Sequence, residues 1–227
     1  IKDVPSELPP GLILHTICKR DDPFDVLISK NNNTLAQLPL NAIIGTSSLR
    51  RQAQLLAYRP DFHIQVLRGN INTRIEQLAQ GNYDAIVLAK AALIRMDLQD
   101  CISENLLPPI MLPACGQGAL GIECRQDDQP THSLLAPLHD LHTSICVLAE
   151  RRINALLGGN CHVPLAVYCK IDNQQQFTLY TKVMSADGKI QLSEERTGPS
   201  ALANTLADQA VAALITQGAE KLLRDRK

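Results

Sequence analysis

Three consecutive stretches of the sequence repeat one pattern: a short apolar strand, a turn and an amphipathic helix. They are NAIIGTSSLRRQAQLLAYR, FHIQVLRGNINTRIEQLAQG and YDAIVLAKAALIRM. Strands that alternate with helices build βαβ units on a mainly parallel sheet, and such sheets bind ligands at the carboxyl ends of their strands. The pattern therefore predicts an α/β lobe with a binding crevice, extending over residues 24–112.

The flanking segments predict two further units. LILHTI at 12–17 is typical of a buried strand, the turn-rich stretch after it resembles a crossing between lobes, and LPACGQGALGIEC at 112–124 resembles the return crossing. After a long helix over 141–157, three strands joined by DNQQ and ADG turns predict an antiparallel meander, followed by a closing helix capped at Ser200. We predict an α/β fold with domain 1 at 1–20 and 115–138, domain 2 at 24–112, and an α+β domain 3 at 141–227.

The composition restricts the partners of this protein. A net charge of −1, no Trp and 3% aromatic residues argue against nucleic acid and against an anionic membrane surface. The sequence contains neither an apolar run long enough to cross a bilayer nor a signal-peptide pattern, so we expect no membrane partner. Seven scattered cysteines favour a reducing, cytoplasmic compartment over a disulfide framework.

Two of the strand-to-helix turns concentrate positive charge. Arg50 and Arg51 lie in the first helical turn after GTSS, where cations oppose the helix macrodipole, and Arg68 and Arg74 flank the second turn. If both strand ends face one crevice, four arginines converge on an anionic ligand, for which a small polycarboxylate is the natural candidate and a phosphate the alternative. A capped helix with two solvated arginines accounts for Arg50 and Arg51 equally well.

Local chemistry leaves Lys2, Asp3 and Cys161 open. An acid beside a base near a cleft can move protons or stabilise a cation, but a surface Lys–Asp pair is the commoner case. Cys161, in ALLGGNCHVP, is compatible with a structural turn thiol, a nucleophile, a metal ligand or a point of covalent attachment. Only His162 stands beside it as a further ligand, so a tetrahedral set is incomplete and we predict no metal.

Six motifs together resemble the porphobilinogen deaminase family, also called hydroxymethylbilane synthase. They are KDVP, GTSSLRRQ, LRGNINTR, YDAIVLA, LPACGQGALGIECR and GGNCHVP, in that family's order and over essentially the whole chain. The resemblance implies two lobes similar to periplasmic binding proteins plus a third domain that carries the cysteine loop. It also implies a monomeric, cytoplasmic transferase of haem biosynthesis, which joins four porphobilinogen molecules into hydroxymethylbilane and releases ammonia at each step.

The resemblance also assigns site residues by motif match. It implies that Cys161 carries a dipyrromethane primer through a thioether, that Asp3 is the catalytic aspartate and that Lys2 contacts the cofactor. The other expected cofactor-binding residues are Arg50, Arg51, Arg68 and Arg74 for acetate and propionate groups, with Thr46, Ser48 and Gln117 as polar contacts. Loss of ammonia leaves an azafulvenium cation on the substrate, which a carboxylate beside the pyrrole can stabilise.

One feature departs from the family pattern. Family members carry a substantial segment before KDVP, including the first strands of lobe one, and here Ile1 stands inside that motif. We therefore expect an incomplete first lobe, and we keep an inactive fragment or a small-anion binding module of the two-lobe type as the alternative to the transferase.

Overall fold

A computed structural model describes residues 1–5, 8–158 and 163–224 of the chain. Within these ranges the strands form three sheets, and helices connect or cover them. The strands are β1 (Leu12–Ile17), β2 (Asp25–Ser29), β3 (Ile43–Gly45), β4 (His63–Gln65), β5 (Ala85–Ala89), β6 (Glu104–Leu106), β7 (Gly121–Arg125), β8 (Leu165–Ile171), β9 (Gln176–Met184) and β10 (Gln191–Pro199). The α-helices are α1 (Leu49–Tyr58), α2 (Ile71–Ala79), α3 (Lys90–Arg95), α4 (Gln129–Leu135), α5 (Leu141–Leu156), α6 (Ala203–Thr216) and α7 (Ala219–Arg224).

The three repeated units form most of a five-stranded sheet of order β4-β3-β5-β2-β6. β3 pairs parallel with β4 and β5, as predicted, but β2 pairs antiparallel with both β5 and β6. The expectation of a mainly parallel sheet is therefore wrong for half of its pairings. β2 follows the interlobe crossing rather than a helix of the repeat, so it enters the sheet from the opposite end. β6 is a short strand that the sequence pattern did not predict.

The first lobe contributes a two-stranded antiparallel sheet of β1 and β7, with Ile13 opposite Cys124. Ile17, Ala119 and Val147 form a small buried cluster that joins this pair to α5. The lobe thus rests on the helix that leads to the C-terminal unit.

The C-terminal unit is the predicted meander, with strand order β10-β9-β8 and antiparallel pairing throughout. One face of this sheet packs on α5 and α6 around buried residues such as Phe177, Ile153 and Ala207. The predicted α/β class with a three-stranded antiparallel C-terminal sheet is confirmed. The predicted cap at Ser200 is wrong, because Ser200 begins a 3₁₀ turn and α6 starts after Leu202 without a side-chain cap.

The opposite face of the C-terminal sheet packs against α1 of the five-stranded lobe. Ala53 and Leu112 meet Ala166 and Met184 in one buried cluster. The β9–β10 turn approaches α1 so closely that a Cβ at Gly188 would lie 2.3 Å from the carbonyl oxygen of Ala53. This contact fixes the helix whose first turn carries Arg50 and Arg51.

Candidate functional site

The amino end of α1 is shaped by the turn that precedes it. β3 ends at Gly45, the hydroxyl of Thr46 accepts a hydrogen bond from the backbone N–H of Ser48 (3.2 Å), and Ser48 caps the helix by accepting from the N–H of Arg51 (3.5 Å). Ser47 donates to the carbonyl of Leu67 and so joins the turns after β3 and β4. These bonds place Arg50 and Arg51 at the carboxyl ends of the parallel strands.

Both arginines bind one buried carboxylate, that of Asp25. Nη1 of Arg50 lies 2.8 Å from Oδ2 of Asp25, and Nη2 and Nε of Arg51 lie 2.7 and 3.1 Å from Oδ1. Asp25 is 0% exposed, and the two arginines are 4% and 6% exposed. The alternative of two solvated arginines is therefore wrong. Burial alone would raise the pKa of Asp25, but the charges of Arg50 and Arg51 hold it well below its usual range.

Gln117 completes this cluster from the return crossing between the lobes. Its Nε2 donates to Oδ1 of Asp25 at 3.0 Å and to the carbonyl of Pro23 at 2.7 Å. The side chain is almost fully buried. It therefore ties the return crossing both to the first crossing, at Pro23, and to the buried charges of the five-stranded lobe.

A cavity of about 610 Å³ opens beside this cluster. Six of the residues that line it were predicted from the sequence as site residues: Lys2, Asp3, Ser48, Arg50, Arg51 and Gln117. Arg74 also lines it, and a smaller adjoining cavity of about 190 Å³ is lined by Lys2, Arg51 and Arg74 as well. Among the described residues that line it, the cavity therefore combines an excess of positive groups with one exposed carboxylate, that of Asp3.

The crowding of positive charge perturbs the pKa values of the cavity cations. Partial burial, followed by the charge of Arg51, lowers the pKa of Lys2, although the residue as a whole remains exposed. The same two causes, in the same order, lower the pKa of Arg74. An anion bound between these groups would relieve the repulsion, which makes the cavity suited to carboxylates.

Not every residue assigned by motif match lies at this cavity. Arg68 is exposed and lines neither cavity, and its backbone carbonyl accepts a hydrogen bond from Nε2 of Gln77 (3.3 Å). Thr46 is buried beneath the turn and also lines neither cavity. The structure thus brings together three of the four arginines, and a cofactor contact at Arg68 or Thr46 stays a prediction.

Cys161 lies outside the described residues. Val163, two positions later in the chain, lines the larger cavity, as does Asn154 near the end of α5. Cys115 lines the same cavity, and burial, followed by the charge of Glu150, raises the pKa of its thiol far above the usual range. Its surroundings therefore disfavour the thiolate, which is the form of cysteine that acts as a nucleophile.

A second buried carboxylate, Glu150 on α5, ties the crossing segments to the C-terminal sheet. Its oxygens lie 2.6 and 3.1 Å from Nη1 and Nη2 of Arg20, and they accept from the backbone N–H groups of Gly116 (2.6 Å) and Cys169 (2.8 Å). Sequence reasoning missed both Glu150 and Asp25. The available signal was a charged residue in an apolar pattern, on the buried face of α5 for Glu150 and at the start of strand DVLI for Asp25.

Two negative findings apply to the described ranges only. Among those residues no group of three or more His, Cys, Asp or Glu side chains is arranged to hold a metal ion. In the same ranges, none of the helices combines the length and the apolar character that crossing a membrane requires.

Comparison with known proteins supplies two family matches and several relatives. The model described as "Porphobilinogen deaminase, dipyromethane cofactor binding domain" matches residues 1–133, and "Porphobilinogen deaminase, C-terminal domain" matches 144–215. The chain is 52% identical over 222 residues to the porphobilinogen deaminase of Legionella pneumophila strain Philadelphia 1, covering 98% of this chain and 72% of that protein. It is 48% identical over 225 residues to that of Brevibacillus brevis, covering 99% and 72%.

The solved structures add little to this result. A chain from a study of glutathione import in Streptococcus mutans is 11% identical, with a TM-score of 0.33 over 63% of this chain and 61% of that chain. At this level the likeness carries no argument about fold or function.

Proposed function

We propose an enzymatic function for this chain because it belongs to the porphobilinogen deaminase family. The chain is a transferase of tetrapyrrole biosynthesis, which polymerises porphobilinogen into hydroxymethylbilane with release of ammonia and uses a dipyrromethane cofactor. The residues of one cavity are assigned to this activity. The observation that carries the assignment is that Lys2, Arg50, Arg51 and Arg74 line the same cavity as Asp3.

The donor set of the cavity fits a dipyrromethane. Each pyrrole ring of the cofactor bears two carboxylates, so two linked rings need several cationic or amide donors in one place. Arg50, Arg51 and Arg74 offer guanidinium groups of the planar kind that pairs with carboxylates, and Lys2 offers a compact positive charge. These residues would hold the carboxylates, and Cys161 would hold the thioether. When bound, the cofactor supplies the pyrrole carbon that is extended.

Asp3 is the residue that we assign to the reaction itself. It lines the same cavity as the arginines, and it is exposed to that space, whereas Asp25 is held in buried ion pairs. A carboxylate in this position stabilises the positive charge that develops on the substrate pyrrole as ammonia leaves, and it can accept the proton released on coupling. Lys2, next in the chain, keeps the cavity positive toward incoming carboxylates.

The loop that carries Asp3 is held by α5. Arg151 donates from Nη1 to the carbonyl of Val4 at 3.1 Å and from Nη2 to the carbonyl of Pro5 at 2.7 Å. Arg151 and Asn154 line the cavity from the same helix, which leads toward Cys161 in the chain. One helix therefore supports both the assigned catalytic loop and the approach to the assigned attachment point.

The finer properties of the protein are part of the proposal. We assign it to the cytoplasm as a monomer that acts on a small molecule, without nucleic acid or membrane partners. The six described cysteines are free thiols, which supports a reducing compartment. The net charge of −1 creates no positive electrostatic field that would attract a polyanion such as nucleic acid.

Mass spectrometry of the purified chain tests the assignment of Cys161. We expect the intact mass to exceed the sequence mass by two linked pyrrole units and digestion to place them on the peptide that contains Cys161. Cys161→Ser should lack the added mass, while the control Cys115→Ser, which removes a thiol that lines the cavity, should retain it. An unmodified chain that forms hydroxymethylbilane would overturn the assignment.

The role of Asp3 needs a separate variant. Asp3→Asn keeps the size of the side chain but removes the charge, and we expect kcat to fall about 10²- to 10⁴-fold while the cofactor mass remains. The assay is ammonia release from porphobilinogen. A chain that binds porphobilinogen without releasing ammonia, in its unaltered form, would instead favour a binding module.

A further inference from the structure

The carboxylate of Asp25 binds neighbouring side chains and does not line the cavity. It accepts from Arg50, Arg51 and Gln117, it is fully buried, and it lines neither cavity. Asp25 also lies outside the six family motifs. Any role of Asp25 at the carboxylate-binding cavity rests on the proposed function.

Arg50 and Arg51 meet Asp25 through different edges of the guanidinium group. Nε and Nη2 of Arg51 donate hydrogen bonds to Asp25, and its Nη1 donates to the carbonyl of Val87 (2.9 Å). Nη1 of Arg50 donates both to Asp25 and to the carbonyl of Leu112 (2.6 Å). Within the described residues, Nε and Nη2 of Arg50 make no hydrogen bond to the protein. The two adjacent arginines are therefore not equivalent.

The free edge of Arg50 is not completely enclosed by the described residues. Among the described residues, Thr181 Oγ1 is the one fully buried side-chain polar atom that lacks a partner. Nε and Nη2 of Arg50 also lack hydrogen-bond partners among these residues, so their absence from that category means that neither atom is fully buried. Arg50 lines the larger cavity, and the Nε–Nη2 edge is the one that binds a carboxylate with two parallel hydrogen bonds.

We propose that Asp25 is a positioning residue for the carboxylate site, which holds Nη1 of Arg50 against the protein and so presents the Nε–Nη2 edge to the cavity. Asp25 also occupies the corresponding edge of Arg51. Arg50 is then the arginine of this pair that grips a pyrrole carboxylate with two bonds, and Arg51 supports it through the shared partner.

Charge balance alone would have the opposite effect on ligand binding. Asp25 carries a buried negative charge next to the proposed anion site. Removing that charge strengthens the Coulomb attraction between the site and a carboxylate ligand. If Asp25 served only to neutralise charge, Asp25→Asn would lower KM for porphobilinogen. Positioning predicts a rise, because an amide cannot hold two buried guanidinium groups that repel each other. The sign of the change separates the two explanations.

The test compares Asp25→Asn with the matched control Glu150→Gln. Glu150 is an equally buried carboxylate in an arginine pair, but it lines neither cavity. Each variant is assayed below its thermal unfolding midpoint for the fraction of chain that carries the cofactor mass, and for KM and kcat with porphobilinogen. We expect Glu150→Gln to lose thermal stability while cofactor loading and KM stay within about twofold of the parent. Asp25→Asn should lose loading or raise KM about tenfold or more.

The outcomes distinguish the positioning role from the proposed function. If the parent chain neither carries the cofactor nor releases ammonia, the proposed function fails and the positioning role falls with it. If the parent is active and Asp25→Asn keeps full loading with an unchanged or lower KM, the positioning role alone is overturned. It is also overturned if Glu150→Gln changes KM as much as Asp25→Asn does.

A double variant decides the question if Asp25→Asn does not fold. Asp25→Asn combined with Arg51→Met removes one buried charge of each sign, and it is compared with Arg51→Met alone. We expect the double variant to load less cofactor or to show a KM at least about fivefold higher, because Arg50 has lost its anchor. Equal loading and equal KM would overturn the proposal.

Discussion

The closeness of the β9–β10 turn to α1 makes Gly188→Ala an informative substitution. Gly188 has a φ of +72°, and an added Cβ would lie 2.3 Å from the carbonyl oxygen of Ala53 and 2.7 Å from the backbone nitrogen of Ala57. Both contacts are with helix backbone, which cannot rotate aside. The turn must therefore move away from α1, and the 3.2 Å bond from Gln52 Nε2 to the carbonyl of Ala186 would be lost with it.

Two contributions set the loss of stability in Gly188→Ala: the left-handed backbone conformation and the steric contact with α1. A comparison with Gly11→Ala separates them. An L-residue in the left-handed region costs about 1–2 kcal/mol, and forcing atoms into a packed contact costs about 1–3 kcal/mol more. Gly11 has a similar φ of +83°, but no heavy atom of the described residues lies within 4 Å of its added Cβ. Gly11→Ala therefore carries the first term only. The gain from a stiffer unfolded chain is the same in both variants and cancels.

We expect Gly188→Ala to be less stable than Gly11→Ala by about 1–3 kcal/mol in urea unfolding. In a chain of 227 residues this difference corresponds to a midpoint roughly 2–12 °C lower. Since α1 carries Arg50 and Arg51, the variant should also bind porphobilinogen more weakly than Gly11→Ala. If the two variants unfold with free energies within about 0.5 kcal/mol of each other, the close packing of this turn on α1 is refuted.

Three further predictions concern the buried charges and a helix cap. Glu150→Ala leaves Arg20 buried without its partner, so urea unfolding should show that the free energy of unfolding falls by about 3–5 kcal/mol. Asp208→Ala removes the partner of Arg152 in an exposed ion pair, and it should lower the free energy of unfolding by less than about 1 kcal/mol. The pKa of Asp25 is lowered in the folded chain, so its stabilisation is complete above the unfolded value of about 3.9 and is lost as the pH falls below it. Urea unfolding from pH 6 to pH 3 should therefore show a smaller acid-dependent loss in Asp25→Asn than in the parent, and an equal loss would contradict the pairing. Asp140 caps α5 by accepting from the N–H of Thr143 at 2.8 Å, so Asp140→Ala should cost about 1 kcal/mol and Asp140→Asn much less, as measured by the unfolding midpoint.

The sequence predicted the elements whose signals are local. The strand–turn–helix repeats, the long helix α5 and the three-stranded meander were all legible from periodicity and turn residues, and the structure confirms them. The family assignment, confirmed by the comparisons, came from six motifs that keep their order. The prediction was wrong where the direction of a strand depends on parts of the chain that are distant in sequence. β2 joins its sheet antiparallel because it enters from the crossing between lobes.

The state of the charged residues was decided by tertiary structure alone. From the sequence, Arg50 and Arg51 were either ligand-binding or solvated, and neither alternative included a buried carboxylate 25 positions away in the chain. Glu150 likewise meets Arg20 across 130 positions. Periodicity reports which face of an element is buried, but not which charge lies opposite it. The sequence by itself determined the kinds of element and the family. Only the folded chain, which brings remote charges together away from water, decided which guanidinium atoms of Arg50 and Arg51 pair with Asp25.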